Sequence, residues 1–447
     1  MKGKNRGKKK EKGSADFRYD TGAARIPWAA VGEPVREDDV LELIRFLMPP
    51  ANKTYNAQFK RVTGELKKLR ALAGSAGKLS LGNNVQAVEK KAAQMLRAKH
   101  ALFVTNATAG FEIAYKFAGL KPGDEVIAPS ITFIATIAYP LSIGAKVVLA
   151  DIDPRTVNMD PKDVARKITR RTKVIIPVHI GGYPVDMAPI MRLAKKHGIT
   201  VIEDGAHAFG AVYNGKMIGA IGHFGSFSFH EVKNITSLGE GGILVSNTPY
   251  GNDFGKTRFL GVDMSRQIRN WLYDVVAIKS MKGCFAAGNH SATEMQAIGL
   301  LLQMKRLKSI IAKRRNAAAY LTGRFKKVPG IITPPTDTAK VKSSHHLYLL
   351  QIDPAKVGGD VQKLKDKLTR RGVVNIPHFA PLYKFSIMRQ LGYDTRAIEK
   401  TCPNTEEVFN RRFTHLPLYD FSRADLKYMG DAVIASVKEM KAEAKKR

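Results

Sequence analysis

The stretch TKVIIPVHIGGYPVDMAPIMRLAKKHGITVIEDG, residues 172–205, decides the fold. TKVIIPVHI and ITVIEDG are short apolar runs rich in β-branched residues. Between them MAPIMRLAKKHG has helical apolar spacing and ends in basic residues and a glycine. Two buried-type strands joined by one helix imply a right-handed crossover in a parallel sheet.

The pattern extends outward. HALFVT is strand-like and ATAGFEIAYKFAG helical; DEVIAP precedes a helix, and AKVVLADID follows it. Beyond residue 205, FGSFSFH and GGILVSN read as further strands. The fold class is therefore α/β, with a mostly parallel sheet covered by helices on both faces. EDDVLELIRFLM and, from an Asn cap at Asn83, NNVQAVEKKAAQMLRA are expected helices. A long helix is expected from about Ala292 to Phe325. SSHHLYLLQID, GGDVQKLKDKLTRRG and the C-terminal ADLKYMGDAVIASVKEMKAEAKKR suggest a smaller α+β domain. The expected division is a disordered basic tail (1–25), a large domain (26–310) and a small C-terminal domain (311–447), with no internal repeat.

Composition narrows the function. The 447 residues carry a formal net charge of +34, and residues 1–13 hold only a small part of it. Such a balance suits anionic partners. No nucleic-acid recognition module accompanies it, so nucleic-acid binding is not expected; a nucleic-acid-binding or scaffold protein is the alternative outside enzymes. Two cysteines far apart point to a reducing cytoplasm and to no disulfide framework. No metal-ligand spacing occurs. VIAPSITFIATIAYPLSIGA, residues 126–145, is uncharged and long enough to span a bilayer. Pro129, Pro140 and its hydroxyl residues argue instead for a buried strand, a turn at Pro129–Ser130 and a helix from about Phe133.

Ligands of parallel sheets sit beyond the carboxyl ends of the strands. There the chain delivers Ala107 and Thr108, Phe133, His179, Asp204 with His207, and Ser228 with His230 and Lys233. Each is ordinary alone. Lysine is usually a surface charge, phenylalanine usually core, and a buried histidine usually a satisfied core residue. Together they meet the needs of pyridoxal 5'-phosphate. Lys233 supplies the Schiff-base amine, and Asp204 a carboxylate for the ring nitrogen. Thr108 and Ser228 bind the phosphate at a helix N-terminus, and Phe133 gives a flat face for the ring.

With PGDEVIAPSITFIAT, VIEDGAHAFGA, FGSFSFHEVKNITSLGEGG, HHLYLL, CPNTEE and LPLY in this order, the chain resembles the DegT/DnrJ/StrS sugar aminotransferases, from about Ile26 to Val437. The resemblance implies the aspartate aminotransferase-like fold type I and the cofactor pyridoxal 5'-phosphate. It implies an amino donor, glutamate or glutamine, and a keto-sugar acceptor, expected to be nucleotide-linked, in amino-sugar, surface-glycan or antibiotic biosynthesis. By the same resemblance Lys233 is the catalytic lysine and Asp204 the partner of the ring nitrogen. His207 lies near the ring's phenolic oxygen, Phe133 on the ring, and Ala107, Thr108 and Ser228 at the phosphate. Asn289 reaches the phosphate of a neighbouring subunit, which implies a homodimer with shared sites.

Departures from the family pattern fall near the substrate mouth or the dimer interface. Ala107 stands for the usual glycine, and His290–Ser291 for an aromatic and a basic residue. The loop after Lys233 is one residue longer, and residues 51–79 resemble an insertion. Some relatives replace the lysine by histidine and are sugar dehydratases; that is the alternative within the family, and Lys233 favours transamination.

Overall fold

The structure, a computed structural model, describes residues 35–73, 79–263, 275–374 and 379–446. The basic tail lies outside them. Seven strands form the main sheet: β1 (His100–Val104), β2 (Glu125–Pro129), β3 (Lys146–Ala150), β4 (Thr172–Ile175), β5 (Thr200–Asp204), β6 (Phe224–Ser228) and β7 (Gly242–Ser246). Their order is β1-β7-β6-β5-β4-β2-β3. The run from β6 to β3 is parallel, and β7 is antiparallel to both its neighbours.

Alternation along the strands explains why both faces are covered. Leu102, Val104, Val126, Ala128, Ile202 and Leu244 enter one core with helix α4 (Ala107–Phe117). On the other face Phe103, Phe227, Ile243 and Val245 pack on α3 (Asn83–Leu96), while Ile127, Ile175 and Val201 pack on α5 (Met187–His197). Before these come α1 (Glu37–Leu47) and α2 (Tyr55–Leu72), the latter within the lysine-rich insertion. Helix α6 (Glu294–Phe325) feeds Leu300, Met304 and Leu307 into the main core and Leu321 and Phe325 into a second one. That second core joins α7 (Val361–Arg370), α8 (Arg423–Lys445) and an antiparallel sheet, β8 (Ile331–Ile332), β9 (Leu347–Ile352) and β10 (Phe413–Pro417).

Three expectations need correction. TKVIIPVHI forms a strand only over Thr172–Ile175, because Pro177 has no N–H for a ladder; beyond it Val178 makes a lone bridge to Asp204. In 126–145 the turn is followed by the short strand Ile131–Thr132, a 3-10 turn Ile134–Ile137 and a helix only at Ala138–Ser142. Among the described residues no helix is long and apolar enough to cross a membrane.

The third correction concerns the cap of α3. Asn83 is its first helical residue, not its cap; Gly82 stands at the cap and offers no side chain. The Glu294 carboxylate closes the end instead, accepting the amides of Gly82 (2.9 Å), Asn84 (2.9 Å) and Val85 (3.1 Å) and the Asn84 side-chain amide (2.8 Å). A full negative charge with two oxygens satisfies more orphan N–H groups than one asparagine oxygen, and the helix dipole favours it. Glu294 is itself buried. Glu294→Ala should therefore lower stability by about 2–3 kcal/mol, leaving buried donors unpaired. The check is the urea midpoint; a shift worth less than about 0.5 kcal/mol contradicts the capping role.

Candidate active site

A cavity of about 760 Å³ opens beyond the carboxyl ends of β5 and β6. Of the eight residues given a place at the cofactor from the sequence, seven line it: Ala107, Thr108, Phe133, Asp204, His207, Ser228 and Lys233; His230 lines it as well. Asn289 lies outside it, exposed, with its side-chain oxygen accepting the Ser291 amide at 3.2 Å.

Asp204 ends β5 and is 4% exposed. Thr136 Oγ1 donates to one carboxylate oxygen (2.8 Å) and the Ala206 amide to the other (3.0 Å). Burial pushes this carboxyl above its ordinary range. The two hydrogen bonds and the Lys233 ammonium pull it back only in part. Lys233 mirrors it: burial pulls its ammonium down, against the opposing attraction of Asp204 and Glu240. Each charge is thus held in a place that favours its neutral form.

The turn that carries Lys233 is tightly hydrogen-bonded. Its amide donates to His230 O (2.9 Å), and the flanking amides of Phe229 and Glu231 donate to Gly241 O (2.8 Å) and Gly239 O (2.9 Å). The Ser237 hydroxyl donates to Glu240 O (2.7 Å). Across the cavity α4 begins. Asn106 caps it by accepting the Ala109 amide (2.9 Å), which leaves the amides of Ala107 and Thr108 outside the helix's own ladder. The helix lies so close to β6 that a Cβ on Gly110 would fall 2.2 Å from Ser226 Oγ, so glycine is required there. Ser226 in turn donates to Ala107 O (3.0 Å). Phe133, 58% exposed, presents its ring to the cavity.

His207 stacks on His346, with ring centroids 4.5 Å apart. His346 Nδ1 lies 2.9 Å from Asn234 Oδ1, and the Asn234 amide nitrogen donates to Ser344 O (3.3 Å). That second bond sets the amide's orientation, so His346 carries its proton on Nδ1. Burial, then His207, Lys233 and Arg314, hold His346 far below ordinary histidine basicity. His179 sits elsewhere: fully buried, it accepts the Val185 amide at Nδ1 (3.0 Å), and its Nε2 lies 3.3 Å from Glu203. Glu203 accepts the amides of Gly219, Ile221 and Gly222 (2.8, 2.7 and 2.6 Å). His179 is thus a brace behind β5.

Thr136, Asn234, Glu240, Arg314 and His346 were not singled out from the sequence. His346 lay within a motif, HHLYLL, without a role. Thr136 lay in the turn after β2, where its reach to Asp204 depends on the fold.

Pyridoxal 5'-phosphate fits this donor set. Two free amides at a helix start suit a phosphate, a buried carboxylate suits a cationic ring nitrogen, and a buried amine suits an aldehyde. The class defined by fold and site is the fold type I transferases that use this cofactor. The model of the DegT/DnrJ/EryC1/StrS aminotransferase family matches residues 62–434. The chain is 36% identical over 358 residues to the spore coat polysaccharide biosynthesis protein SpsC of Bacillus subtilis, covering 77% of this chain and 87% of that one. It is 31% identical over 332 residues to the 3-amino-5-hydroxybenzoate synthase of Amycolatopsis mediterranei, covering 73% and 82%. Among solved structures it resembles the putative sugar aminotransferase Spr1654 of Streptococcus pneumoniae in its PMP form, with a TM-score of 0.72, 26% identity and coverage of 86% and 96%. The chain belongs to this aminotransferase family, and it is a pyridoxal-phosphate-dependent sugar aminotransferase.

A half-buried lysine whose desolvation is only partly offset by Asp204 and Glu240 has a consequence for stability. Because the folded-state pKa of Lys233 is lowered, the penalty is full below that pKa and vanishes above the unfolded value, about 10.4. Lys233→Met should therefore make the cofactor-free protein more resistant to urea at pH 7, with the gain shrinking as pH rises toward about 10.4. A variant no more stable than wild type at pH 7 contradicts this.

Proposed function

We propose that this chain moves the amino group of glutamate or glutamine to a nucleotide-linked keto sugar, working as a cytoplasmic homodimer with shared sites. One observation carries the reading: Lys233 and Asp204 line one cavity, and burial drives each toward its neutral form. Bound pyridoxal phosphate supplies the electron-withdrawing ring that holds the amino group between donor and acceptor. The Lys233 amine, weakened as a base by burial, takes a proton from the donor α-carbon and returns one to the acceptor carbon. Asp204, aimed by Thr136, would hold the proton on the ring nitrogen of the bound cofactor. The amides of Ala107 and Thr108 and the hydroxyls of Thr108 and Ser228 would hold the phosphate, and Phe133 and His207 would flank the ring.

The dimer is supported by an apolar stripe on α6. Met295, Ile298 and Leu302 are exposed at helical spacing, close in sequence to Asn289, which has no place on its own chain's cavity. Division at about residue 310 is supported by α6, whose two halves enter different cores. The cytoplasmic assignment rests on the two cysteines, both free.

The test supplies holoenzyme with L-glutamate and nucleoside-diphosphate keto sugars. The expected result is 2-oxoglutarate and amino sugar in equal amounts, a sedimentation mass of two chains, and a loss of roughly 10³-fold in Lys233→Ala. Transfer only to free keto-cyclitols would exclude the nucleotide-linked acceptor. Full turnover as a single chain would exclude shared sites.

A further inference from the structure

The described residues include three strongly buried lysines or arginines: Arg258, Arg314 and Lys367. Arg258 pairs with Glu89, and Lys367 with Glu439 and Glu443 (both 2.6 Å). Arg314 has no carboxylate in ion-pair reach among the described residues, although it is only 8% exposed. Its Nη1 donates to two main-chain carbonyls, His346 O (3.2 Å) and Leu418 O. Burial lowers its pKa to about 10, with no opposing anion. A buried charge without a counter-charge is expensive, and structures retain one where something else brings the anion.

Arg314 projects from α6 into the cavity that holds Lys233, among Leu347, Pro417 and Leu418. Both Lys233 and Arg314 depress His346, so both charges lie near that ring. The two carbonyls occupy only one arm of the guanidinium, and the planar fork matches a carboxylate. A deep, largely apolar wall suits a small anion better than a sugar diphosphate that must reach solvent. The phosphate of the cofactor has its own place at the start of α4, on amides that α4 leaves free. An amino acid must enter this cavity in the first half of the reaction, and it carries a carboxylate.

We propose that Arg314 is the anion-binding residue of the amino-donor subsite, its guanidinium receiving a carboxylate of the amino acid whose nitrogen is transferred at Lys233. The proposal rests on the aminotransferase reading above and deepens it. Arg314 also links the segments before β9 and after β10 through its two carbonyl bonds. A purely structural clamp is therefore the competing account.

The test uses full-length holoenzyme, as wild type, Arg314→Gln and Arg314→Lys. Glutarate, a dicarboxylate without an amine, serves as the binding probe by calorimetry, with inorganic phosphate as the second probe. The donor and sugar half-reactions are timed separately. In Arg314→Gln the glutarate affinity and the donor kcat/KM should fall roughly 10- to 100-fold, as for loss of a hydrogen-bonded charge. The sugar half-reaction and cofactor retention should change by less than about threefold, and Arg314→Lys should lie between. Equal losses in both half-reactions with a lower Tm would establish the clamp and overturn the proposal. So would an unchanged glutarate affinity, or inorganic phosphate displacing glutarate together with a raised sugar KM. A wild type that binds glutarate through Arg314 yet transfers no amine would instead overturn the aminotransferase reading and leave the carboxylate site standing.

Discussion

Everything at the centre of this molecule depends on keeping Asp204 and Lys233 out of water on the walls of one cavity. Apart, each would be a solvated surface charge. Buried, the carboxyl is pushed up and the ammonium pushed down, and their mutual attraction does not restore either. A cationic ring nitrogen would stabilise the Asp204 anion, and an aldehyde would consume the Lys233 amine. The site therefore favours the cofactor because each residue is unfavourably placed without it.

The fold exists around that placement. Parallel strands bring their carboxyl ends to one edge, so Asp204 arrives from β5 opposite Ser226 of β6, with Ser228 two residues further along the same strand. The absence of a side chain at Gly110 lets α4 lie against β6 and bring its free amides to the same edge. Remote segments hold the frame. Glu294 closes the start of α3, and Asp151 at the end of β3 accepts the amides of Asn404 and Thr405 (both 2.9 Å), which gives the CPNTEE motif its structural meaning.

Much of this was legible in the sequence, for a physical reason. Strand ends and helix starts are local patterns, so Ala107, Thr108, Asp204, Ser228 and Lys233 could be placed on one edge before any coordinates. What local patterns do not carry is the partner of a charge. Asn83 looked like a cap because nothing nearby competes with it; the actual cap comes from Glu294, 209 residues away from Val85. Likewise Arg314 reads as one of many basic residues on a long helix, and its meaning arises only where three segments bury it together. His346 gains significance from the stacking of His207 and the orientation of Asn234. His179, weighed from the sequence as a satisfied core histidine, is one: its ring turns inward to Glu203 and the Val185 amide.

At the centre of the proposal stands Lys233 as the amine, among the described residues, placed to join the cofactor. Borohydride reduction of the holoenzyme followed by peptide mass mapping tests it most directly. The account predicts a single stoichiometric pyridoxyl adduct, on Lys233. An adduct on another lysine, or a reduced protein carrying none, would contradict it.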